Sequence, residues 1–372
     1  MMPAMSDSFA QAREHFLAGV HHAEAGRLAD AERSLQAALV LTPGRPSVLV
    51  NLGIVRFRQG RFAAARDSLA EAVQAEPANG NAWLHLGLVL AAQDDADAAL
   101  AAFDRSLAAD PTLAEAWSQR GSLLRDAGRL EAAAECFEKA IGLGADAQLN
   151  RYYLAAVRAE AQADAPGAPP RAYVESLFDQ YAADFDHHLV HTLGYRGHER
   201  LIDAVLQLGP RQYASALDLG CGTGLCGPLV RRLAARVDGV DLSAAMLEKA
   251  SALGVYTELV HADVAEYLLT ADRRDDLVVA ADVFIYVGRL EAVFEGVARA
   301  LVPGGAFCFT VEAAPEGQDV VLLPSLRYAH SAGYLRELAG RFGFDVVRLL
   351  RAPLREDQRE SQPAIYASLV RH

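Results

Sequence analysis

Apolar residues recur every three to four positions through the first 150 residues, a spacing that predicts amphipathic helices. From residue 171 the pattern changes to short apolar runs that alternate with helical stretches. Such alternation indicates a mostly parallel sheet covered by helices. The chain is therefore predicted to hold an all-α domain followed by an α/β domain, and its 372 residues suffice for two cores.

The helical half repeats itself with a period of 34 residues. Glycine, alanine and proline each recur at this spacing, at Gly19, Gly53, Gly87 and Gly121, at Ala31, Ala65, Ala99 and Ala133, and at Pro43, Pro77 and Pro111. The small residues let two helices approach closely, and the proline ends each copy. Four copies over residues 12–147 predict stacked helix pairs, and residues 150–160 predict a helix that caps the stack.

These copies resemble tetratricopeptide repeats. The third copy has the family's residues at Trp83, Leu86, Gly87, Ala99, Phe103 and Pro111, and the fourth at Trp117, Gly121, Ala133, Phe137 and Ala140. Ser106 and Ala145 depart from the pattern. The resemblance implies a superhelix whose concave groove binds a protein or peptide partner. Alternatively, the repeats only scaffold or dimerise the second domain.

The predicted domain limits are residues 1–160 for the repeats, 161–170 for a linker rich in Pro and Ala, and 171–372 for the α/β domain. Seven apolar runs predict strands, at residues 214–220, 235–242, 255–262, 275–283, 305–312, 344–351 and 364–372. The last two runs leave no room for a crossover helix. They are therefore predicted to pair antiparallel at the sheet edge.

The first predicted strand ends in Asp218-Leu-Gly220-Cys-Gly222-Thr-Gly224. Glycines here allow a tight turn and close backbone approach to a ligand, and the N-terminus of a following helix would favour negative charge. Asp241 ends the second strand, where a carboxylate can accept hydrogen bonds from ribose hydroxyls. Pro228 excludes a P-loop and Leu225 breaks the dinucleotide fingerprint, so the pattern indicates another adenosine-containing ligand.

At these residues the second half resembles class I S-adenosylmethionine-dependent methyltransferases, with a Rossmann-like seven-strand sheet and an antiparallel last strand. Further matches are HADV at residues 261–264, LVPGG at residues 301–305 as the turn before the fifth strand, and FDQYAADFD at residues 178–186 as a lid helix. The resemblance implies S-adenosylmethionine as cofactor. Its binding residues would be Asp218, Gly220, Gly222, Gly224, Asp241, Leu242, Asp263, Val264 and Ala280, although Asp263 also fits a helix N-cap.

Candidates for the acceptor side are Asp282 and Tyr286, which follow the fourth strand, together with Tyr181 and the histidines His187, His188 and His191. The H-H-x-x-H spacing lacks the middle Glu of zinc sites and a third ligand, so no metal is expected. Arg196 is a further candidate, for a carboxylate. His330 is expected to be structural, and Cys221 and Cys226 are not expected to bind metal.

Composition and charge limit the kinds of binding partner and the cellular compartment that the sequence predicts. A net charge of −13 disfavours nucleic acid and anionic membranes, which need clustered Lys and Arg. The scattered cysteines and the absence of a signal-peptide pattern favour the cytoplasm. The sequence thus predicts a methyltransferase acting on an N or O acceptor, with repeats that recruit a protein. The alternatives are a small-molecule methyltransferase whose repeats mediate assembly (a homo-oligomer among the possibilities), a non-catalytic adaptor with a vestigial cofactor domain, and a nucleotide-dependent oxidoreductase.

Overall fold

The computed structural model describes residues 3–158, 166–315, 317–357 and 360–372, with the backbone alone at 3–7, 191–192, 354–357 and 360–362. The chain divides into two compact units, Met1–Arg158 and Ala159–His372. Residues 161–165 of the predicted linker lie outside the described residues. Its remaining part is bound to the second unit, because the Tyr328 hydroxyl donates to the Pro166 carbonyl at 2.6 Å and the Arg289 amide donates to the Gly167 carbonyl at 2.9 Å.

The first unit consists of helix pairs in the predicted register. The helices are α1 (Pro3–Glu24), α2 (Leu28–Leu41), α3 (Pro46–Arg58), α4 (Phe62–Ala75), α5 (Gly80–Ala91), α6 (Ala96–Ala109), α7 (Ala114–Asp126), α8 (Leu130–Gly142) and α9 (Ala147–Val157). The capping helix α9 starts three residues before its predicted start and ends at Val157, and residues 159–160 lie outside the described part. Its Tyr153 ring packs on Phe137 of α8, with ring centroids 5.3 Å apart.

The recurrent glycines are contact points between the two helices of a pair. A Cβ built on Gly53 would lie 2.5 Å from Cγ of Leu69, and one built on Gly87 would lie 2.5 Å from Cε1 of Phe103. The same offset of 16 residues joins Gly19 to Leu35 and Gly121 to Phe137. In each copy, one bulky side chain of the second helix thus packs over one glycine of the first helix. This contact recurs with the 34-residue period.

Replacing Gly87 by alanine is therefore expected to destabilise the repeat unit by about 1–3 kcal/mol, because the added methyl group displaces the buried Phe103 ring. The matched control is Gly142→Ala at the end of α8, where a Cβ meets nothing within 4 Å. That change is expected to be neutral or stabilising by up to about 1 kcal/mol. Thermal unfolding followed by far-ultraviolet circular dichroism measures both, and equal effects of the two variants would contradict the packing argument.

The second unit is an α/β domain. Its strands are β1 (Tyr213–Leu219), β2 (Ala234–Asp241), β3 (Glu258–His261), β4 (Asp275–Ala280), β5 (Leu301–Ala313), β6 (Val320–Leu322), β7 (Tyr328–His330), β8 (Phe344–Asp357) and β9 (Glu360–Arg371). Its α-helices are α10 (Arg171–Tyr181), α11 (Gly197–Leu206), α12 (Gly227–Val230), α13 (Ala244–Ala252), α14 (Val264–Thr270), α15 (Glu291–Ala300) and α16 (Ala332–Phe342). A π-helical turn spans His187–Thr192 and a 3-10 turn spans Phe284–Tyr286.

The sheet confirms the predicted fold class. Strands β3, β2, β1, β4 and β5 lie side by side in parallel, and β9 runs antiparallel between β5 and β8. The described sheet has nine strands where seven were predicted, because the short β6 and β7 add a hairpin beside the end of β5. The LVPGG segment is part of β5 and not a turn before it, although the pairing with β4 skips from Leu301 to Ala306.

Alternate residues of the central strands fill two hydrophobic cores, one on each face of the sheet. Leu217 and Val278 belong to one core, and their neighbours Ala216 and Leu277 belong to the other. Burial of both faces explains why these strands are near-continuous apolar runs. No helix in the described part of the chain is long and apolar enough to cross a membrane.

Candidate functional site

A cavity of about 650 Å³ opens at the carboxyl ends of β1, β2 and β4. The order of strands reverses between β1 and β4, and ligands of open α/β sheets bind at such a switch point. Most residues assigned to the cofactor from sequence line this cavity, namely Asp218, Gly220, Gly222, Asp241, Leu242, Asp263 and Val264. The same cavity is lined by the acceptor candidates Tyr181, His188, Asp282 and Tyr286.

The glycine-rich loop after β1 has the backbone conformation that the sequence predicted. Gly220 has φ +62°, and a Cβ there would lie 2.5 Å from the Val283 side chain, so only glycine fits. Gly224 also has positive φ but is not part of the cavity lining. The helix expected to follow the loop is the single turn α12, which is too short to contribute a full helix dipole.

Asp241 ties the glycine-rich loop to the end of β2. Its Oδ2 accepts a hydrogen bond from the Gly222 amide at 2.8 Å, and its Oδ1 accepts one from the Ser243 amide at 2.8 Å. Burial raises the pKa of Asp241, and these N–H donors oppose the rise. The carboxylate is thus fixed in orientation beside the cavity.

Asp263 serves as a helix cap and lines the cavity at once. Its Oδ1 accepts hydrogen bonds from the amides of Ala265 and Glu266, at 2.9 and 3.0 Å, at the start of α14. Asp263 and the adjoining Val264 both line the cavity. The N-cap interpretation and the ligand interpretation of this residue are therefore compatible.

The structure places Ala280 outside the cavity lining. Ala280 is the last residue of β4 and is fully buried in the core, whereas Ala281 lines the cavity. The side chain alternates between faces along a strand, so a shift of one position exchanges core and site. Asp282 follows with φ +60°, an uncommon conformation for a non-glycine residue, and its amide donates to Thr310 Oγ1 at 2.7 Å.

The segment that resembles the lid helix, residues 178–186, is hydrogen-bonded to two loops beside the cavity. These are the loop after β2 and the glycine-rich loop. Asp179 of α10 accepts a hydrogen bond from Ser243 Oγ at 2.5 Å, beside Asp241. Asp186 accepts one from Thr223 Oγ1 at 2.5 Å, inside the glycine-rich loop. These contacts place residues 178–186 against the cavity.

Aromatic rings connect this segment to the 3-10 turn after β4. Phe178 packs edge-on against Tyr286, with ring centroids 5.0 Å apart. Tyr181 forms a hydrogen bond to Nδ1 of His188, and both line the cavity. The part of the cavity near Tyr286 and Tyr181 is consequently aromatic.

Other predicted candidates lie elsewhere. Arg196 pairs with Glu199 at 2.6 Å and is not part of the cavity lining, and His187 is exposed. The side chain of His191 lies outside the described residues. His330 is buried and bonded to the Gly288 carbonyl at 2.6 Å, a structural role. Among the described residues, no group of His, Cys, Asp and Glu could hold a metal ion, and the described cysteines are free thiols.

Sequence reasoning did not single out several polar residues of the cavity wall, among them Thr223, His198 and Arg327. Arg327 lies between β6 and β7 and pairs with the buried Glu312 at 3.4 Å. His198 stacks on the Tyr195 ring, and burial lowers its pKa. Arg327 could have been found as a lone arginine between two short apolar runs. No local sequence pattern distinguishes His198.

Comparison with known proteins identifies the second unit. Residues 216–305 match the family described as "Methyltransferase domain". By this match the second unit contains a methyltransferase domain. Tetratricopeptide-repeat families match residues 50–114 and 114–144, so the repeats are confirmed as well. A methyltransferase domain is the kind of domain for which the sequence predicts S-adenosylmethionine as cofactor.

Among the relatives is a malonyl-[acyl-carrier protein] O-methyltransferase of Pseudescherichia vulneris, 35% identical over 136 residues, which are 37% of this chain and 51% of that protein. A dimethylglycine N-methyltransferase of Parasynechococcus marenigrum is 32% identical over 133 residues, 34% of this chain and 48% of that protein. The chain thus spans about half the length of these relatives. A solved 1,6-didemethyltoxoflavin-N1-methyltransferase of Burkholderia thailandensis, with bound 1,6-didemethyltoxoflavin and S-adenosylhomocysteine, has a TM-score of 0.45 and 20% identity, over 56% of this chain and 92% of that one.

Proposed function

We propose that the chain transfers a methyl group from S-adenosylmethionine to a nitrogen or oxygen acceptor. The observation that carries the proposal is one cavity lined by Asp218, Asp241 and Asp263 together with the glycine-rich loop. Three carboxylates at the ends of successive strands offer acceptors for the hydroxyl and amino groups of an adenosine-containing amino acid. The matched methyltransferase family supports the same reading.

The residues fit this cofactor by position. Asp241, held by two amides, is proposed to accept the ribose hydroxyls. Asp263, Val264 and Leu242 are proposed to bind the adenine, and Asp218 the amino end. Gly220 and Gly222 have no Cβ to separate the loop backbone from the ligand, and Gly224 shapes the turn behind them.

The acceptor side needs little acid–base chemistry. When bound, S-adenosylmethionine supplies a methyl group already activated by the positive charge on sulfur. The protein's task is to align the acceptor and to exclude water, for which the lid contacts of Asp179 and Asp186 are suited. Asp282 and Tyr286 are the proposed acceptor-side residues, Tyr286 as an aromatic wall and Asp282 as a hydrogen-bond acceptor.

The repeat unit is proposed to recruit a protein that carries the acceptor and is itself methylated. Tetratricopeptide repeats generally bind peptides or proteins along a stack of helix pairs, and this unit has four such pairs. The relatives include both an O- and an N-methyltransferase, so they favour neither acceptor atom.

Calorimetric titration with S-adenosylhomocysteine, with NADH as the control ligand, tests the cofactor. We expect micromolar binding of S-adenosylhomocysteine and none of NADH. Label from methyl-labelled S-adenosylmethionine, added with the full chain to a cell extract, is then expected in precipitable protein. Label only in small molecules would contradict protein recruitment, and absence of S-adenosylhomocysteine binding would contradict the methyltransferase function.

A further inference from the structure

Tyr256 lies behind the cofactor site and does not line its cavity. It follows α13 and precedes β3, half-buried between them. Its hydroxyl donates a hydrogen bond to Oδ2 of Asp218 at 2.7 Å. Asp218 is 1% exposed, so this contact is made inside the protein.

The Tyr256 ring also fills the space beside three glycines. A Cβ built on Gly227 would lie 2.7 Å from Cζ of the ring, one on Gly239 would lie 3.1 Å from Cε1, and one on Gly224 would lie 3.2 Å from Cε2. Gly224 and Gly227 belong to the segment after β1, and Gly239 belongs to β2. The ring therefore contacts the backbone of the glycine-rich segment and of the neighbouring strand.

The surroundings of Asp218 make this hydroxyl important for charge. The pKa of Asp218 is raised to about 7, because burial raises it most, the hydrogen bond from Tyr256 lowers it, and the nearby Asp241 raises it. The thiols of Cys221 and Cys226 also face Asp218, and burial raises the pKa of each well above its ordinary value, so they remain neutral. Four groups therefore face Asp218, from Asp241, Cys221, Cys226 and Tyr256. Of these, the Tyr256 hydroxyl is the one that favours the ionised over the protonated form of Asp218.

We propose that Tyr256 is a positioning residue of the cofactor site, whose hydroxyl holds Asp218 as an oriented carboxylate and whose ring supports the glycine-rich loop. The inference rests on the proposed cofactor function, in which Asp218 binds the amino end of the ligand. Tyr256 acts through Asp218 and the loop, because it is not part of the cavity lining.

The proposal has a defined pH consequence. A ligand that binds the carboxylate form of Asp218 binds more tightly as the pH rises through the pKa of that group. Without the Tyr256 hydroxyl the pKa of Asp218 rises, so the rise in affinity moves to higher pH. The loss of affinity is then largest near neutrality and small at alkaline pH.

The test compares the wild-type chain with Tyr256→Phe, which keeps the ring and removes the hydroxyl. Carbon-13 NMR of labelled aspartate, with Asp218→Asn for assignment, is expected to show the Asp218 titration shifted up by about one to two pH units. Calorimetry with S-adenosylhomocysteine from pH 6 to 9 is expected to show about tenfold weaker binding at pH 7. The ratio of the two affinities should return toward one at pH 9.

Tyr213→Phe, at the opposite end of β1, is the matched control and is expected to change neither readout. An unchanged Asp218 titration in Tyr256→Phe, or the same loss of affinity at every pH, would overturn the proposal. If the wild-type chain did not bind S-adenosylhomocysteine, the proposed function would fail. The NMR titration of the free protein would still decide whether Tyr256 controls Asp218.

Discussion

Replacing Asp241 by alanine is expected to weaken binding of S-adenosylhomocysteine by about 100-fold or more. Two hydrogen bonds from ribose hydroxyls to a carboxylate contribute roughly 1.5–3 kcal/mol each, and about 1.4 kcal/mol corresponds to a factor of ten. The substitution also removes the acceptor for the Gly222 and Ser243 amides, which fix the two loops around the ligand. Isothermal titration calorimetry at constant pH measures the change.

Two further variants separate the ribose contacts from loss of structure. Asp241→Asn keeps one carbonyl oxygen and is expected to bind with an affinity between those of the wild type and the alanine variant. Asp345→Ala removes an exposed carboxylate of β8 that pairs with His372, and it is expected to bind like the wild type. Unchanged affinity of Asp241→Ala would show that the ribose is held elsewhere, and the proposed orientation of the cofactor would be wrong.

Much of the fold could be predicted because its signals are local and periodic. The glycines at a spacing of 34 are visible in the sequence, since each one lies against a bulky residue 16 positions later in the same copy. The carboxylates at the ends of β1 and β2 are visible for a similar reason. Parallel strands end at one edge of the sheet, so residues after successive strands meet there regardless of distance along the chain.

The parts that escaped prediction depend on contacts between distant segments. The bond from Tyr256 to Asp218 joins residues 38 positions apart, and the bond from Thr223 to Asp186 joins residues 37 apart. Neither has a local pattern. Strands β6 and β7 have three residues each, too few for an alternation to be recognised. Ala280 and Ala281 have the same side chain, so only the register of β4 distinguishes the core residue from the cavity residue.

Replacing Arg273 by alanine is expected to destabilise the methyltransferase domain by about 3–5 kcal/mol, because it leaves buried carboxylates without their cation. Arg273 Nη2 lies 3.0 Å from Oδ2 of Asp238 and 2.9 Å from Oδ1 of Asp275, and these aspartates are only 1% and 2% exposed. Its Nη1 donates to the Tyr267 hydroxyl at 2.6 Å. Asp238 keeps a second partner in Arg236, so Asp275 bears most of the loss.

Unfolding of the full chain has to be resolved by domain, since two units need not unfold together. The transition whose midpoint rises on addition of S-adenosylhomocysteine is assigned to the methyltransferase domain, and the Arg273→Ala change is expected in that transition alone. Arg274→Ala, in the adjoining exposed ion pair with Asp272, is the matched control and is expected to change stability by less than about 0.5 kcal/mol. Equal effects of the two variants would contradict a role for burial.

The double variant Arg273→Ala with Asp275→Asn distinguishes an unpaired charge from a lost contact. If the cost of Arg273→Ala comes from the uncompensated Asp275 carboxylate, removing that charge as well should recover a large part of the stability, because a buried ion pair replaced as a whole is often close to neutral. If the cost came from the packing of the arginine stem and its bond to Tyr267, the double variant would be no more stable than Arg273→Ala. We expect recovery, since Asp275 stands at the start of β4 and is only 2% exposed.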